Sequence, residues 1–561
     1  MLTQLLIFCS ALAPSQTQAQ VPVVEEPDHR IEAVDVVEDL SEAVADRLLD
    51  LADVLRARDY DGARDWFGET FAGQGLGTLE VKATEPLGLG AVRKVLVPTS
   101  APTFDARGFL ADLDLRIGTW NRIESVLWKV KGAEFQASEG TRWGRVSLYL
   151  EFLGSRAGAP VALTGRVRAR VERQEGVWRM TRLVIDSLEE SGASAPFFRD
   201  VSAACGIAYA GPPFSAMKHR SFAWNGAAAG DVDGDGRIDI FVPSSERNYL
   251  YLLGEDGRYR EAAVERGVAQ PAHGTGAVLF DFDRDGDQDL VVAHVGWREA
   301  DGKPGGERLQ LYVNQGGGRF VERGGDLGLD ERWAAYSLTV LDYDGDGWLD
   351  LFVCGYGRLD VVHNDSWVDA RNGAPNALYR NKAGKGFEEV GGRAGVRGTR
   401  WAYAAAAADF DEDGDIDLVI ANDYGPKELF KNAGDGTFTE AATALGVIDN
   451  GNGMGAAWGD LDQDGRLDLY LSNMSSTAGN RILGRLEKHL EPGILAGLKK
   501  LAAGNSILLA KGSGFRALPS ANGGIGASWA WGSALFDLDL DGALDVFCTN
   551  GFVTGKSAHD T

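Results

Sequence analysis

The chain is 561 residues long with 44% hydrophobic content and 17 prolines, enough for two or three domains around a large buried core, and wholesale disorder is excluded. Its 82 acidic residues against 56 basic ones give a formal net charge of −26, which disfavours nucleic acid and anionic membrane surfaces as partners.

The N-terminus opens on an apolar run, Leu5 to Ala13, followed by small and polar residues through Thr17-Gln18-Ala19. That is the layout of a signal peptide over residues 1–19 with a linker at 20–29, although no Lys or Arg precedes the run. Cys9 lies in the run behind Leu6-Ile7-Phe8, a poor lipoprotein signal. Cleavage leaves Cys205, Cys354 and Cys548, an odd and sparse set that is no disulfide framework. No later stretch is long enough to span a bilayer, so the expected location is secreted or extracytoplasmic, in a periplasm or at a cell surface.

Residues 30–190 begin with a helix signalled by Val37, Leu40, Val44, Leu48, Leu51 and Leu55 on one face. Strands are predicted at Ile123 to Val130, Val146 to Phe152, Leu163 to Val171 and Trp178 to Ile185. A helix followed by a curved sheet ending in Gly-Val-Trp-Arg-Met-Thr resembles the SnoaL or ketosteroid-isomerase-like cone, an α+β fold. The resemblance implies room for a small ligand and, in some members, acid/base catalysis. No catalytic residue is nominated. His29 falls outside the cone, and Asp105, Asp112 and Asp114 are expected in or beside a turn or strand, solvated.

From residue 231 to 545 the chain spells Asp-x-Asp-x-Asp-Gly-x-x-Asp six times. The copies are Asp231, Asp233, Asp235 and Asp239; Asp281, Asp283, Asp285 and Asp289; Asp342, Asp344, Asp346 and Asp350; Asp409, Asp411, Asp413 and Asp417; Asp460, Asp462, Asp464 and Asp468; Asp537, Asp539, Asp541 and Asp545. Carboxylates at alternate positions repel one another in a compact loop unless a cation sits among them, and calcium suits an all-oxygen set of this size. Up to six ions are expected, returning +12 and bringing the net charge to about −14. Gly at position six allows the sharp turn, and position seven varies from Arg237 to Trp348 to Ala543, as expected where only its backbone carbonyl is used. Positions two and eight, mostly apolar, are expected to anchor the loop. An EF-hand is excluded, because strand-like runs such as Ile240-Phe241-Val242 flank the loops where helices would be needed.

Each repeat also carries a later strand such as Asn376 to Asn381 or Lys427 to Asn432, then one opening on an aromatic, as at Phe320 and Phe438. Four short strands per unit make a propeller blade. The loops, with Asn452 to Gly459 and Ala-Gly-Asn-Arg at 478–481, resemble FG-GAP/VCBS repeat proteins over about residues 195–561. Within them the resemblance is to the cartilage-acidic-protein-like branch, whose members often carry an ASPIC/UnbV segment. It implies a calcium-loaded β-propeller, often secreted or displayed and used for adhesion or protein contacts. Neither an ASPIC/UnbV segment nor a seventh loop follows the sixth repeat, so either a strand at Phe198 to Val201 completes the last blade as a clasp or the ring depends on a partner. The expected fold class is thus mainly β, a calcium-binding β-propeller of six repeats, in six blades or seven, behind a small α+β cone-like domain.

With all ions on one face, the insertions at Gly355 to Pro375 and Ser472 to Gly504 crowd the other. The second is helical, with a break near Pro492. Small residues five before each first Asp (Gly226, Gly276, Ser337, Ala404, Gly455, Gly532) suggest backbones converging on a channel. Nearby Trp224, Trp333, Tyr336, Trp401, Tyr403, Trp529 and Trp531 either line an aromatic mouth for a ligand or glycan or pack between blades. His219, His273, His294 and His363 have no zinc spacing, and no Gly-x-Ser-x-Gly or phosphate loop is present. The expected function is a secreted, calcium-stabilised module binding an extracellular protein or glycan. The alternatives are a polysaccharide lyase or hydrolase built on a propeller, or a scaffold whose N-terminal domain holds a small ligand.

Overall fold

The structure, a computed structural model, describes residues 28–77, 79–88, 90–97, 103–135, 143–207, 226–244, 247–270, 274–295, 307–357, 363–487, 489–519 and 529–551. The expected signal peptide, Trp224, His219 and His273 lie outside them. The chain is mainly β, 46% strand and 14% helix. Among the described residues no helix is long and apolar enough to cross a membrane.

The N-terminal helix, Asp28–Arg56, buries Val44, Leu48, Leu51 and Leu55. It lies on a sheet whose strands run in the order Glu80–Gly88, Ala91–Val97, Val177–Gly192, Ala159–Gln174, Trp143–Arg156, Arg122–Phe135. Phe67–Gln74 pairs parallel to Val177–Gly192. The four predicted strands are present and longer than their apolar stretches, because strict alternation continues into charged positions on the outer face: Val167, Ala169 and Val171 are buried while Arg166, Arg168 and Arg170 are exposed. Residues 106–117 depart from expectation. They form a helix, Ala106–Ile117, N-capped by Asp105, whose carboxylate accepts from Gly108 N at 2.7 Å. Asp112 is buried, not solvated, and accepts from Gly77 N at 2.6 Å.

The six repeats form successive antiparallel meanders. Units one to five have four strands each, beginning at Ala228–Gly230, Gly274–Phe280, Ala335–Leu341, Ala402–Ala408 and Gly453–Gly459. The sixth shows two, Ala530–Phe536 and Asp545–Asn550. In every unit the acidic loop joins the first strand to the second. First strands of adjacent units lie side by side, and the small residues five before each loop permit it. A Cβ on Gly226 would stand 2.6 Å from Thr275 O and one on Gly276 2.9 Å from Tyr336 O, while Ser337 Oγ donates to Tyr403 O at 2.8 Å. The longer insertion forms two helices, Thr477–Leu486 and Pro492–Ala503. Pro492 starts the second helix rather than breaking one, since its missing N–H falls where a first turn has no partner anyway.

The expected clasp strand at Phe198 to Val201 is not formed. Those residues run irregularly into a turn at 202–206, yet the segment bridges the first and sixth units. The Phe198 ring packs edge-on against Phe547 at 6.4 Å, and Tyr259 N donates to Cys205 O at 2.6 Å. Gly206 faces the Tyr259 carbonyl in the way Gly267 faces that of Phe320 and Gly446 that of Phe515, so residues 201–207 repeat the tail that ends other units.

A buried asparagine ends the third strand of units two, three and four. Asn314, Asn381 and Asn432 each donate Nδ2 at 2.8 Å to a carbonyl in the preceding unit's loop (Val232, Phe282 and Tyr343) and to one in their own (Gln288, Leu349 and Ile416) at 3.0–3.1 Å. Replacing Asn432 with Ala strands two buried carbonyls and should cost about 3 kcal/mol in urea unfolding, whereas Thr439→Ala on the exposed fourth strand should stay within about 0.5 kcal/mol.

Candidate functional site

Each acidic loop is wound around its first carboxylate. Asp231 accepts from Gly234 N, Asp235 N and Gly236 N at 2.8–3.0 Å. In the other five copies the position-six glycine N–H reaches the first Asp at 2.8–3.0 Å. That glycine has φ between +85° and +95° in all six loops. Position four is also left-handed, which the sequence pattern did not signal beyond Gly234 and Gly345. Arg284, Glu412, Gln463 and Leu540 hold φ of 60–61° there.

The position-nine Asp does a separate task. Asp289, Asp350 and Asp417 are fully buried, and each accepts from the loop's second residue (Phe282, Tyr343 and Phe410) and from the asparagine ending the third strand, at 2.7–3.4 Å. Burial pushes their carboxyls up to about 7, with the accepted backbone N–H bonds opposing it. Position two is anchored as expected, through Val232, Phe282 and Tyr343. Position eight varies: Ile238 and Leu349 are exposed, whereas Ile416 packs against the core beside the buried Asp417.

Carboxylate oxygens gather within 4.8 Å of one another at Asp231, Asp233 and Asp239; Asp281, Asp283 and Asp285; Asp342, Asp344 and Asp350; Asp409, Asp411 and Asp417; and Asp460, Asp462 and Asp464. One oxygen each of Asp233, Asp281 and Asp342 is buried without a hydrogen-bond partner. Asp233 and Asp283 are pushed above the usual carboxylate range, first by burial and then by neighbouring carboxylates. Basic side chains offset part of this charge: Lys431 between Asp411 and Asp413, Arg380 on Asp344 at 2.6 Å, and Arg466 on Asp464 at 2.6 Å. Orphaned buried oxygens in an all-carboxylate cluster fit a hard divalent cation such as calcium. The position-seven N–H donates to the position-five Asp in each loop, as from Trp348 to Asp346 at 2.9 Å.

The aromatic residues expected at the opposite end mostly pack against one another. Trp333, Tyr336, Trp401 and Tyr403 are buried. Tyr336 and Tyr403 share a hydroxyl contact of 2.6 Å, Trp401 Nε1 donates to Asn372 at 3.0 Å, and Trp333 Nε1 donates to Tyr379 at 2.6 Å. Trp529 and Trp531 are half-buried, and Trp531 Nε1 donates to Gly551 O at 2.7 Å. Beside them lies a polar centre that no motif announced. Asp423 accepts from Tyr356 Oη at 2.5 Å, and Lys427, fully buried, lies 3.5 Å from Asp449. These groups tie unit four to unit five, since Asp449 also accepts from Asn473 at 3.3 Å.

An FG-GAP-like repeat is matched at residues 231–292, 298–353 and 409–471, so the chain carries FG-GAP-like repeats. Its sequence is similar to Cartilage acidic protein 1 of Xenopus tropicalis, 26% identical over 268 residues, covering 44% of this chain and 40% of that protein. Against the Homo sapiens protein of the same name the figures are 24% over 263 residues, 44% and 39%. The chain thus spans about two fifths of the length of these relatives. Among solved structures an Agrocybe aegerita lectin aligns over 77% of this chain and 89% of its own at 14% identity, with a TM-score of 0.30.

The loop geometry predicts opposite responses at neighbouring positions. Gly414→Ala, at φ +95°, should cost about 1–2 kcal/mol, while Glu412→Gly, at φ +61°, should be neutral or stabilising in the same thermal melt.

Proposed function

We propose that the six repeats are blades of a calcium-stabilised β-propeller that acts outside the cytoplasm as an interaction module for a protein or glycan. The observation that carries this reading is the sixfold recurrence of one loop. The copies gather carboxylates around one point, and in units one to five the position-nine Asp also takes a backbone N–H of the third strand, so a cation there acts on a whole blade. Asp231, Asp233, Asp235 and Asp239, and their counterparts in the other five loops, are the proposed ligand sets. Similarity to Cartilage acidic protein 1, together with the predicted leader at residues 1–19, supports an extracytoplasmic location. The partner surface is assigned to the face opposite the loops, where the helices Thr477–Leu486 and Pro492–Ala503 and the half-buried Trp529 and Trp531 stand.

A ligand that binds only the folded state stabilises by about 2.7 kcal/mol per site at a hundredfold excess over its dissociation constant. Melting should therefore shift upward in calcium and fall in chelator, and Asp411→Ala should lower both calcium stoichiometry and melting temperature. An unchanged melt in calcium and chelator overturns the structural role of the ion. Affinity capture from the native extracellular fraction, run in calcium and in chelator, then tests the interaction role: a defined protein or glycan held only in calcium is the expected result. Turnover of a purified polysaccharide by the same preparation would replace the binding reading with an enzymatic one.

A further inference from the structure

The outer face of the N-terminal sheet, turned away from the helix Asp28–Arg56, carries a row of positive charge in a chain of net charge −26. Arg145 stands directly opposite Arg170, and Arg170 directly opposite Arg182, on three neighbouring strands. Like charges facing one another across strands destabilise a sheet; at one end of the row Arg145 has Glu134 directly opposite on the next strand, whereas at the other end Arg182 faces Ala72. Strand spacing of about 4.8 Å sets the three arginine backbone positions out as a ladder about 10 Å long.

The ladder floors a cavity of about 780 Å³, within the size range of small-ligand sites. Five cations line it, Lys131, Arg145, Arg168, Arg170 and Arg182, against one carboxylate, Glu134. Asn480 and Gly484, from the helix Thr477–Leu486 inserted in the fifth repeat, form part of its wall. Arg168 is paired with Asp186 at 2.8 Å and Arg170 with Glu172 at 2.7 Å, and neither acid lines the cavity. Arg170 also stacks on the Trp143 ring at 4.3 Å, which fixes its plane. Among the described residues no ion pair or side-chain hydrogen bond is found for Arg145 or Arg182. The local field is therefore positive and only partly compensated.

We propose that this cavity binds a small polyanion carrying at least two oxyanion groups, carboxylate, sulfate or phosphate, on the Arg145–Arg170–Arg182 ladder. Guanidinium groups grip such groups in a bidentate manner, and a row of three selects a ligand with several charges along its length over a single ion. The site lies on the exterior of the sheet. It is distinct from the helix-covered interior, which is filled by Phe109, Trp128 and Phe152, and it does not depend on the calcium reading.

The test is isothermal titration calorimetry on the full chain, in calcium and physiological salt. The probes are inorganic sulfate, inorganic phosphate, a sulfated disaccharide and a trimeric uronate. At least one of the two multivalent probes should bind one to one and at least tenfold tighter than either inorganic ion, and which of the two does so separates a sulfated from a carboxylated source. Arg145→Gln and Arg182→Gln should each weaken that binding at least tenfold. Their melting temperatures should stay level or rise, because the substitutions relieve cross-strand repulsion. Arg64→Gln, the same charge change away from the cavity, should leave binding unaltered. No heat from any probe overturns the proposal, as does equal weakening by Arg64→Gln. A fall in melting temperature without loss of binding also overturns it, since the arginines would then serve the sheet alone.

Discussion

Asp289, Asp350 and Asp417 tie separate strands of the repeat region to its loops, because each buried carboxylate accepts backbone N–H groups from two places at once. One donor is the second residue of the loop. The other is the asparagine that ends the third strand, and its side chain reaches into the loop of the preceding unit. A buried carboxylate that lost these bonds would be an uncompensated charge in low dielectric, so the arrangement is cooperative along the chain. Where the asparagine is missing, at Leu253 in the first unit and Ala510 in the fifth, the position-nine Asp still takes the backbone N–H, at 2.8 Å. The asparagine side chains therefore join units one to four in series.

The same loops concentrate charge that the fold cannot neutralise with its own cations. Lys431, Arg380 and Arg466 reach single clusters, but Asp233, Asp281 and Asp342 keep a buried oxygen without a partner. A divalent ion is the group that satisfies this chemistry without displacing the backbone bonds, because each carboxylate has lone pairs beyond those given to N–H donors. The carboxylate clusters and the backbone ladder are thus two features of one element.

At the other end of the repeats, of the two readings of the aromatic residues, four side chains follow the packed one: Trp333, Tyr336, Trp401 and Tyr403 are buried. Aromatic residues near the first strands, which on sequence alone could form an open mouth, are mostly spent on one another, with Trp401 buried and Tyr336 against Tyr403. The open, charged cavity lies instead on the outer face of the N-terminal sheet, with the inserted helix at its wall. A leftover repeat insertion and a ligand-sized surface therefore meet at one place.

The six acidic loops were legible in the sequence because everything that shapes them lies within nine residues: carboxylates at alternate positions, a glycine at a left-handed turn, and a closing Asp. The strand alternation of residues 122–192 was legible for the same reason, since a two-residue period is local. The helix Ala106–Ile117 was less legible, because Asp112 and Asp114 interrupt the apolar face of Phe109, Leu110, Leu113 and Ile117 with residues ordinarily solvated. The role of Asn314, Asn381 and Asn432 depends on which loop the preceding unit offers, 82 to 99 residues earlier in the chain. The row of Arg145, Arg170 and Arg182 exists only once strand register is set, and register belongs to pairing between distant segments rather than to any one of them. Local spacing by itself determined the repeat and its acidic chemistry; the tertiary structure alone decided which side chains share a surface, because that depends on strands brought together from far apart in the chain.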